Sequence, residues 1–407
     1  MEPRQIAFFG ATNSGKSTLM NSLAGQEVSL VSAVPGTTTD PVRKRIELPG
    51  IGACVLVDTA GYGDAGALGA ERERMTRAVI DSTDVAVLIL SGHPDDDRWE
   101  AMLHQAGVPV VRWPVGAGHD AAVRHSRPDR ESLLQLIAAA LPAEDHSWLT
   151  GNLVKPGDTV ILVMPQDSEA PKGRIILPQV QVIRELLDRG CIPVCCTPER
   201  LKEAIAGLAA SPALVITDSQ VFGKVNAAIP SSWPLTSFSI LLAAAKGDLK
   251  VFTEGASAIS SLKPGSRILI AEACTHVPDT EDIGRVKIPA LLHRRLEMAG
   301  QAGHDASNQT GHDASVTPGL TEKLQITIAA GNDFPKDLSG YDLIIHCGAC
   351  VATSTLVRSR IRKARLANVP ITNYGFALAF LQGILDRISL PNTNSGPRTG
   401  VSGPEQV

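Results

Sequence analysis

Gly10-Ala11-Thr12-Asn13-Ser14-Gly15-Lys16-Ser17 has the spacing G-x-x-x-x-G-K-[ST], between an apolar run at 6–9 and a helix expected over 16–24. That strand–loop–helix context is the one the pattern needs to act as a phosphate cradle. The glycines let backbone approach phosphate oxygens, and the helix start presents its unpaired N–H groups to the anion. Lys16 is expected to reach the β- and γ-phosphates, and the Ser17 hydroxyl to ligate Mg²⁺. The competing reading is a chance glycine-rich turn, which needs no such context.

Outward from this loop the first 150 residues alternate strand and helix signals. Segments 42–48 and 53–57 read as an antiparallel hairpin across Pro49-Gly50. Buried strands are expected at 85–90 and 108–111, and an apolar-faced helix at 130–141. Such alternation predicts a mostly parallel α/β sheet. The segment 152–156 reads as a linker. A second α/β block follows, with strands at 159–164 and 214–217 and helices at 179–188 and 237–245. A third begins near 250, with strands at 267–271 and 343–345. The expected organisation is three α/β domains, 1–150, 151–249 and 250–390. Residues 391–407, rich in Gly, Pro and Ser, read as a disordered tail.

The chain has 407 residues, 43% apolar and 20% charged, with a net charge of −4. This is ordinary globular composition, without the basic excess of a nucleic-acid or anionic-membrane binder. Neither a secretory leader nor a run of ~20 apolar residues is evident, so a cytoplasmic protein is expected. Of the seven cysteines, Cys54, Cys191, Cys195 and Cys196 lie in or beside apolar strands and are expected as buried small hydrophobes. Gly303-His304-Asp305-Ala306-Ser307 recurs at 311–315 and nearly recurs at 118–122. It reads as low-complexity surface insertion rather than as a metal site.

Asp58-Thr59-Ala60-Gly61 fits the D-x-x-G of GTPases. Asp58 is expected to hold Mg²⁺ through water and the Gly61 N–H to sense the γ-phosphate. The nucleotide set is Gly10, Asn13, Ser14, Gly15, Lys16, Ser17, Thr18, Asp58 and Gly61. Pro35-Gly36-Thr37-Thr38-Thr39-Asp40 resembles switch I of the TrmE–Era–EngA group. That resemblance makes Thr38 the Mg²⁺-binding threonine, with Thr37 as the fallback, and gives Asn13 a place beside a K⁺ ion. Tyr62 stands where Ras-like proteins carry a water-orienting glutamine, so slow hydrolysis is expected. No Asn-Lys-x-Asp follows the strand ending at Val111, which leaves the choice of guanine over adenine open.

Cys274-Thr275-His276 and His346-Cys347-Gly348-Ala349-Cys350 form C-x-H … H-C-x-x-C. Three thiolates suit an iron–sulfur cluster or zinc. By itself the pattern also allows unliganded thiols. Three cysteines leave one iron for a weaker ligand, such as His276, His346, a carboxylate or water.

The pairing of this motif with this GTPase type resembles the FeFe-hydrogenase maturation family HydF. So do Ala170-Pro171-Lys172-Gly173-Arg174, Thr217-Asp218-Ser219-Gln220-Val221-Phe222, Asp282-Ile283-Gly284-Arg285 and Asn373-Tyr374-Gly375. The resemblance implies GTPase, dimerisation and cluster-binding domains, and GTP with Mg²⁺. It also implies a 4Fe–4S cluster on Cys274, Cys347 and Cys350, with His276 or His346 as candidate fourth ligand. A transient diiron precursor, two radical-SAM maturases, the apo-hydrogenase and a homodimer complete the implied partners. A regulatory GTPase stabilised by zinc is the competing expectation. The gap between His276 and His346 exceeds the family's usual one, and the Gly-His-Asp-Ala-Ser duplication accounts for much of the excess.

Overall fold

The computed structural model describes residues 3–25, 41–63, 67–115, 130–142, 148–166, 176–273, 283–307, 323–331, 333–350 and 352–392. The chain forms two compact units, Met1–Glu144 and Asp145–Val407. The fold is α/β throughout.

The first unit runs β1 (Arg4–Gly10), α1 (Lys16–Ala24), β2 (Val42–Leu48), β3 (Gly52–Asp58), α2 (Ala67–Ile80), β4 (Val85–Leu90), α3 (Asp96–Gln105), β5 (Val110–Pro114) and α4 (Arg130–Ala140). Its sheet order is β2-β3-β1-β4-β5. Only β2 is antiparallel, paired with β3 across the Pro49-Gly50 turn. Residues of β1 alternate between two cores, as a strand covered on both faces must. Ile6 and Phe8 pack with Leu19, Leu23 and Ile137; Ala7 and Phe9 pack with Trp99 and Leu103. Since β1 has β3 on one side and β4 on the other, the loop after it opens at the point where strand order reverses. Ligands of open α/β sheets bind at such a point.

The second unit contains two four-stranded parallel sheets. The first module comprises β6 (Thr159–Val163), α5 (Leu177–Asp188), β7 (Ile192–Cys196), α6 (Leu201–Ala206), β8 (Leu214–Thr217), α7 (Phe222–Ala228), β9 (Leu235–Ser237), α8 (Phe238–Lys246) and α9 (Leu249–Ser257). The second comprises β10 (Arg267–Glu272), α10 (Ile288–Ser307), β11 (Gln325–Ala330), β12 (Leu343–His346), α11 (Ser354–Leu366), β13 (Ile371–Asn373) and α12 (Tyr374–Leu381).

The two modules are copies of one design. Their strand orders, β7-β6-β8-β9 and β11-β10-β12-β13, are the same topology. Val163 pairs with Thr217 and Thr217 with Ser237; Ala271 pairs with His346 and His346 with Asn373. The sequence repeats with them. Lys155-Pro156-Gly157 precedes β6 and Lys263-Pro264-Gly265 precedes β10. Pro234-Leu235-Thr236-Ser237-Phe238 matches Pro370-Ile371-Thr372-Asn373-Tyr374. Ser237 and Asn373 each cap the following helix, accepting from the N–H of Ile240 and Phe376.

The copies share one core. Ile161, Val163, Phe222 and Ile240 of the first pack in the same cluster as Leu269, Ala271, Ile344 and Phe376 of the second. Each module's C-terminal extension covers the other's last strand. Helix α9 lies on β13, where Thr372 Oγ1 donates to Phe252 O at 2.7 Å. A Cβ on Gly255 would come within 2.1 Å of Ile371 O, so only glycine fits there. In return, Ile388 bridges Leu235 of β9, and Ser389 N donates to Leu235 O at 2.8 Å.

Two expectations are corrected. The segment 152–156, expected as a linker, is held at Val154 and by the residues just before it, while Asn152, Lys155 and Pro156 are exposed. Val154 is buried, and Arg189 donates to Thr150 Oγ1, Gly151 O and Val154 O. Glu185 completes the anchor by accepting from the N–H groups of Leu149 and Thr150. Cys195 is exposed and Cys196 half-buried, because β7 is an edge strand; Cys54 and Cys191 are buried as expected. Of the expected tail, Pro391 and Asn392 lie against Gly151, and 393–407 fall outside the described residues, as does the repeat at 303–315 apart from its helical backbone to Ser307.

Candidate functional sites

The phosphate loop is built by the end of β1 and the start of α1. Asn13 (φ 60) and Gly15 (φ 94) take left-handed conformations that turn the chain around the cradle. Lys16 is buried, and its Nζ donates to Gly10 O at 3.1 Å and Ala11 O at 2.7 Å. These bonds hold the ammonium over its own loop. Ser17 Oγ donates to Asp58 Oδ2. Asn13, Ser17 and Thr18 are exposed at the mouth.

Asp58 Oδ1 and Ser14 Oγ are buried without a hydrogen-bond partner. Orphaned oxygens of this kind suit a cation and a phosphate. Burial pushes the Asp58 carboxyl above its ordinary pKa, against the Ser17 hydrogen bond and the Lys16 charge. A bound Mg²⁺ would reverse that cost. Gly61 (φ 88) crosses directly over the lysine; a Cβ there would sit 2.8 Å from Lys16 Nζ and 3.1 Å from Thr12 N. The D-x-x-G segment is therefore in contact with the phosphate loop, and Thr12 N donates to Tyr62 O at 2.9 Å.

Tyr62 and Asp96 form a latch that the sequence did not announce. Tyr62 stacks on Trp99 at 5.0 Å, and its hydroxyl donates to Asp96 Oδ1 at 2.7 Å. Asp96 Oδ2 accepts from the N–H groups of Ser91, Gly92 and His93. Burial raises the Tyr62 phenol pKa, so it stays a donor. Asp96 begins α3, where acidic residues are common, and nothing in its spacing points across to residue 62. Thr38 and the stretch 116–129 beyond β5 lie outside the described residues.

The cysteine loop occupies the equivalent reversal point of the second module. There β10 has β11 on one side and β12 on the other. Cys347 follows β12 and its Sγ accepts from Ala273 N at 3.1 Å and Ala349 N at 3.4 Å. Ala349, at φ 52, turns the loop so that Cys350 returns toward it. Two N–H donors aimed at one sulfur suit a thiolate ligand. Without a metal, burial pushes the Cys347 thiol up to about 11, so loading must displace a proton. Cys274 and His276 lie outside the described residues, but Ala273, next to Cys274, is already within hydrogen-bond reach of Cys347. Among the described residues no three metal-ligating side chains gather at one point.

His346 is fully engaged elsewhere. Its Nε2 lies 2.9 Å from Arg360 Nη1 and its Nδ1 2.8 Å from Cys347 O. Arginine only donates, so Nε2 accepts and Nδ1 carries the proton. Burial, with the Arg360 charge, lowers the His346 pKa to about 3, and the ring is neutral. Arg360 also donates to Glu272 O and Gly331 O, tying together the ends of three strands. On the other face of β10, Glu272 accepts from Arg285 Nη2 at 3.0 Å.

A phosphate-loop unit joined to a two-sheet unit with a cysteine loop defines a GTPase carrying a candidate metal centre. Residues 5–112 match the 50S ribosome-binding GTPase family, 149–247 the hydrogen maturase F dimerization domain, and 250–316 with 312–391 its tetramerization domain. The chain belongs to the hydrogen maturase F (HydF) family of GTPases. Its first unit is similar to the tRNA modification GTPase MnmE of Myxococcus xanthus, 46% identical over 112 residues, 26% of this chain and 24% of that one. It is similar also to the GTPase Der of Mycobacterium ulcerans, 41% identical over 117 residues, 27% of this chain and 25% of that one. The chain thus spans about a quarter of the length of these curated relatives. A solved structure of Era from Aquifex aeolicus aligns at 18% identity and a TM-score of 0.30, over 51% of this chain and 98% of that one. Among the described residues no helix is long and apolar enough to cross a membrane.

Proposed function

We propose that the chain is a GTP-binding iron–sulfur scaffold. It would hold a 4Fe–4S cluster on Cys274, Cys347 and Cys350, receive a diiron precursor from two radical-SAM maturases, and deliver it to apo-FeFe-hydrogenase. One observation carries this reading: a cysteine loop with sulfur-directed N–H groups stands at a sheet's ligand-binding point, in a chain of the hydrogenase maturation family. The three domains would be 1–150, 151–249 and 250–390. With both ring nitrogens of His346 committed, that residue acts as a support, and the fourth iron position is left to His276, a carboxylate or solvent. In the first unit GTP with Mg²⁺ would occupy Gly10–Thr18, Thr38, Asp58 and Gly61, with K⁺ at Asn13. With Gly61 as the γ-phosphate sensor, the Tyr62–Asp96 latch would hold the adjoining backbone.

The family's dimerisation and tetramerisation domains support oligomers. A homodimer would form on β7, an edge strand among the described residues, where Ile192 is 56% exposed; Leu187 (54%) and Val180 (45%) of α5 are exposed apolar residues of the same module. Unpaired edges bearing apolar residues pair readily with a second copy.

The deciding experiment is metal and sulfide analysis of the full chain purified without oxygen. Iron and sulfide with a reduced-cluster EPR signal are expected. Zinc without iron would falsify the scaffold reading and leave a zinc-stabilised GTPase.

A further inference from the structure

The repeated module supplies a control for the helix end that meets the cysteine loop. Aligned without a gap from Pro234 and Pro370, the two helices end alike, Lys246-Gly247 opposite Gln382-Gly383. Strands β8 and β12 correspond too, Thr217 opposite His346, so Asp218 and Cys347 each follow the strand end; beyond the strands four residues precede α7 and seven precede α11.

Each helix end reaches across to the other module, to the segment that follows its third strand. Lys246, of the first module, is 4% exposed, and its Nζ donates to Ala349 O at 2.7 Å, Cys350 O at 3.4 Å and Ala352 O at 2.9 Å. Gln382, of the second, lies against Gly223, with its Oε1 3.1 Å from where a Cβ would stand. The contact is reciprocal, but its chemistry differs. The cysteine loop is met by an ammonium, and the start of α7, which carries no cysteine, by a neutral amide. Burying an ammonium is expensive unless it is well partnered. Of these two helix ends, only the one that meets the cysteine loop carries that cost.

We propose that Lys246 is the positioning residue of the cysteine loop. It gathers the carbonyls of 349, 350 and 352, which fixes the turn presenting Cys347 and Cys350. It also sets a positive charge beside that turn. This rests on the cluster reading above. It adds that the cluster site is completed by the preceding module, so the two modules are one functional unit.

The test uses the full chain, reconstituted with iron and sulfide without oxygen. Lys246→Met keeps the stem's length while removing charge and donors. Outer-shell changes cost about 10- to 100-fold in metal affinity, so iron release to a chelator should speed up by about 10-fold or more. The cluster's midpoint potential should also fall, because a nearby cation favours the reduced form. Lys246→Arg should recover most of both effects, and Gln382→Met should change neither. Far-UV circular dichroism and GTP affinity establish that each variant is folded. If Lys246→Met does not fold, Lys246→Gln, which copies the first module's pairing, takes its place. Folded variants that lose the charge yet keep wild-type release and potential would overturn the proposal. A wild-type chain that binds no iron would instead overturn the cluster reading itself.

Discussion

The phosphate loop and the cysteine loop occupy the same kind of place, the carboxyl end of a parallel strand where the sheet's order reverses, but they are built differently. The phosphate loop is local. Gly10 to Ser17 supply the cradle, its turn and its lysine, with Asp58 and Gly61 added from the next parallel strand. The cysteine loop is assembled from far apart: Ala273 from β10, His346 and Cys347 from β12, Arg360 from α11 and Lys246 from the other module. A contiguous motif can be moved between folds intact, whereas a dispersed site depends on the packing of everything behind it.

If the two loops are independent, each can be destroyed alone. Cys347→Ser should abolish iron binding while GTP affinity stays unchanged, measured on the same preparation. Coupled loss of both would mean the loops communicate in the resting protein. Lys16→Ala is the reciprocal cut. Bonds to charged groups contribute about 1.5–3 kcal/mol each, so triphosphate affinity should drop roughly 100-fold or more, with iron content intact.

Arg360→Met tests how far the cysteine site depends on its support. It leaves His346 Nε2 buried without a donor and should destabilise the second unit by about 1–3 kcal/mol. Denaturant unfolding followed in that unit checks this, and the first unit's transition should not move. An unchanged second transition would mean that His346 needs no partner.

The smallest expected effect concerns pH. Burial raises the Asp58 pKa, so in the nucleotide-free state its stabilising contribution holds at acid pH and is lost as pH rises through the folded-state value. Asp58→Asn should flatten that part of the stability profile and also remove the gain from Mg²⁺ and GTP. Thermal melts across acid to neutral pH, with and without ligand, read both.

Most of the first unit was legible in the sequence because its signals are short-range. The strand before Gly10, the helix from Lys16 and the hairpin across Pro49-Gly50 all fell where expected. The second unit was harder. Strands β9 and β13 are only three residues each, too short for periodicity to show. The anchoring of 149–154 was not legible because its partners, Glu185 of α5 and Arg189 just after it, are distant in sequence. Cys195 looked buried because an edge strand and a central strand read alike.

By itself the sequence determined the phosphate cradle, the α/β class and the identity of the cysteine pattern, since each rests on residue types at fixed local spacing. Only the tertiary structure decided that the two later blocks share one core and cover each other's last strands. It also decided that His346 is held by Arg360 and that Lys246 crosses to the cysteine loop. Those facts depend on which distant surfaces meet, and burial forces such groups to find partners wherever the fold brings them.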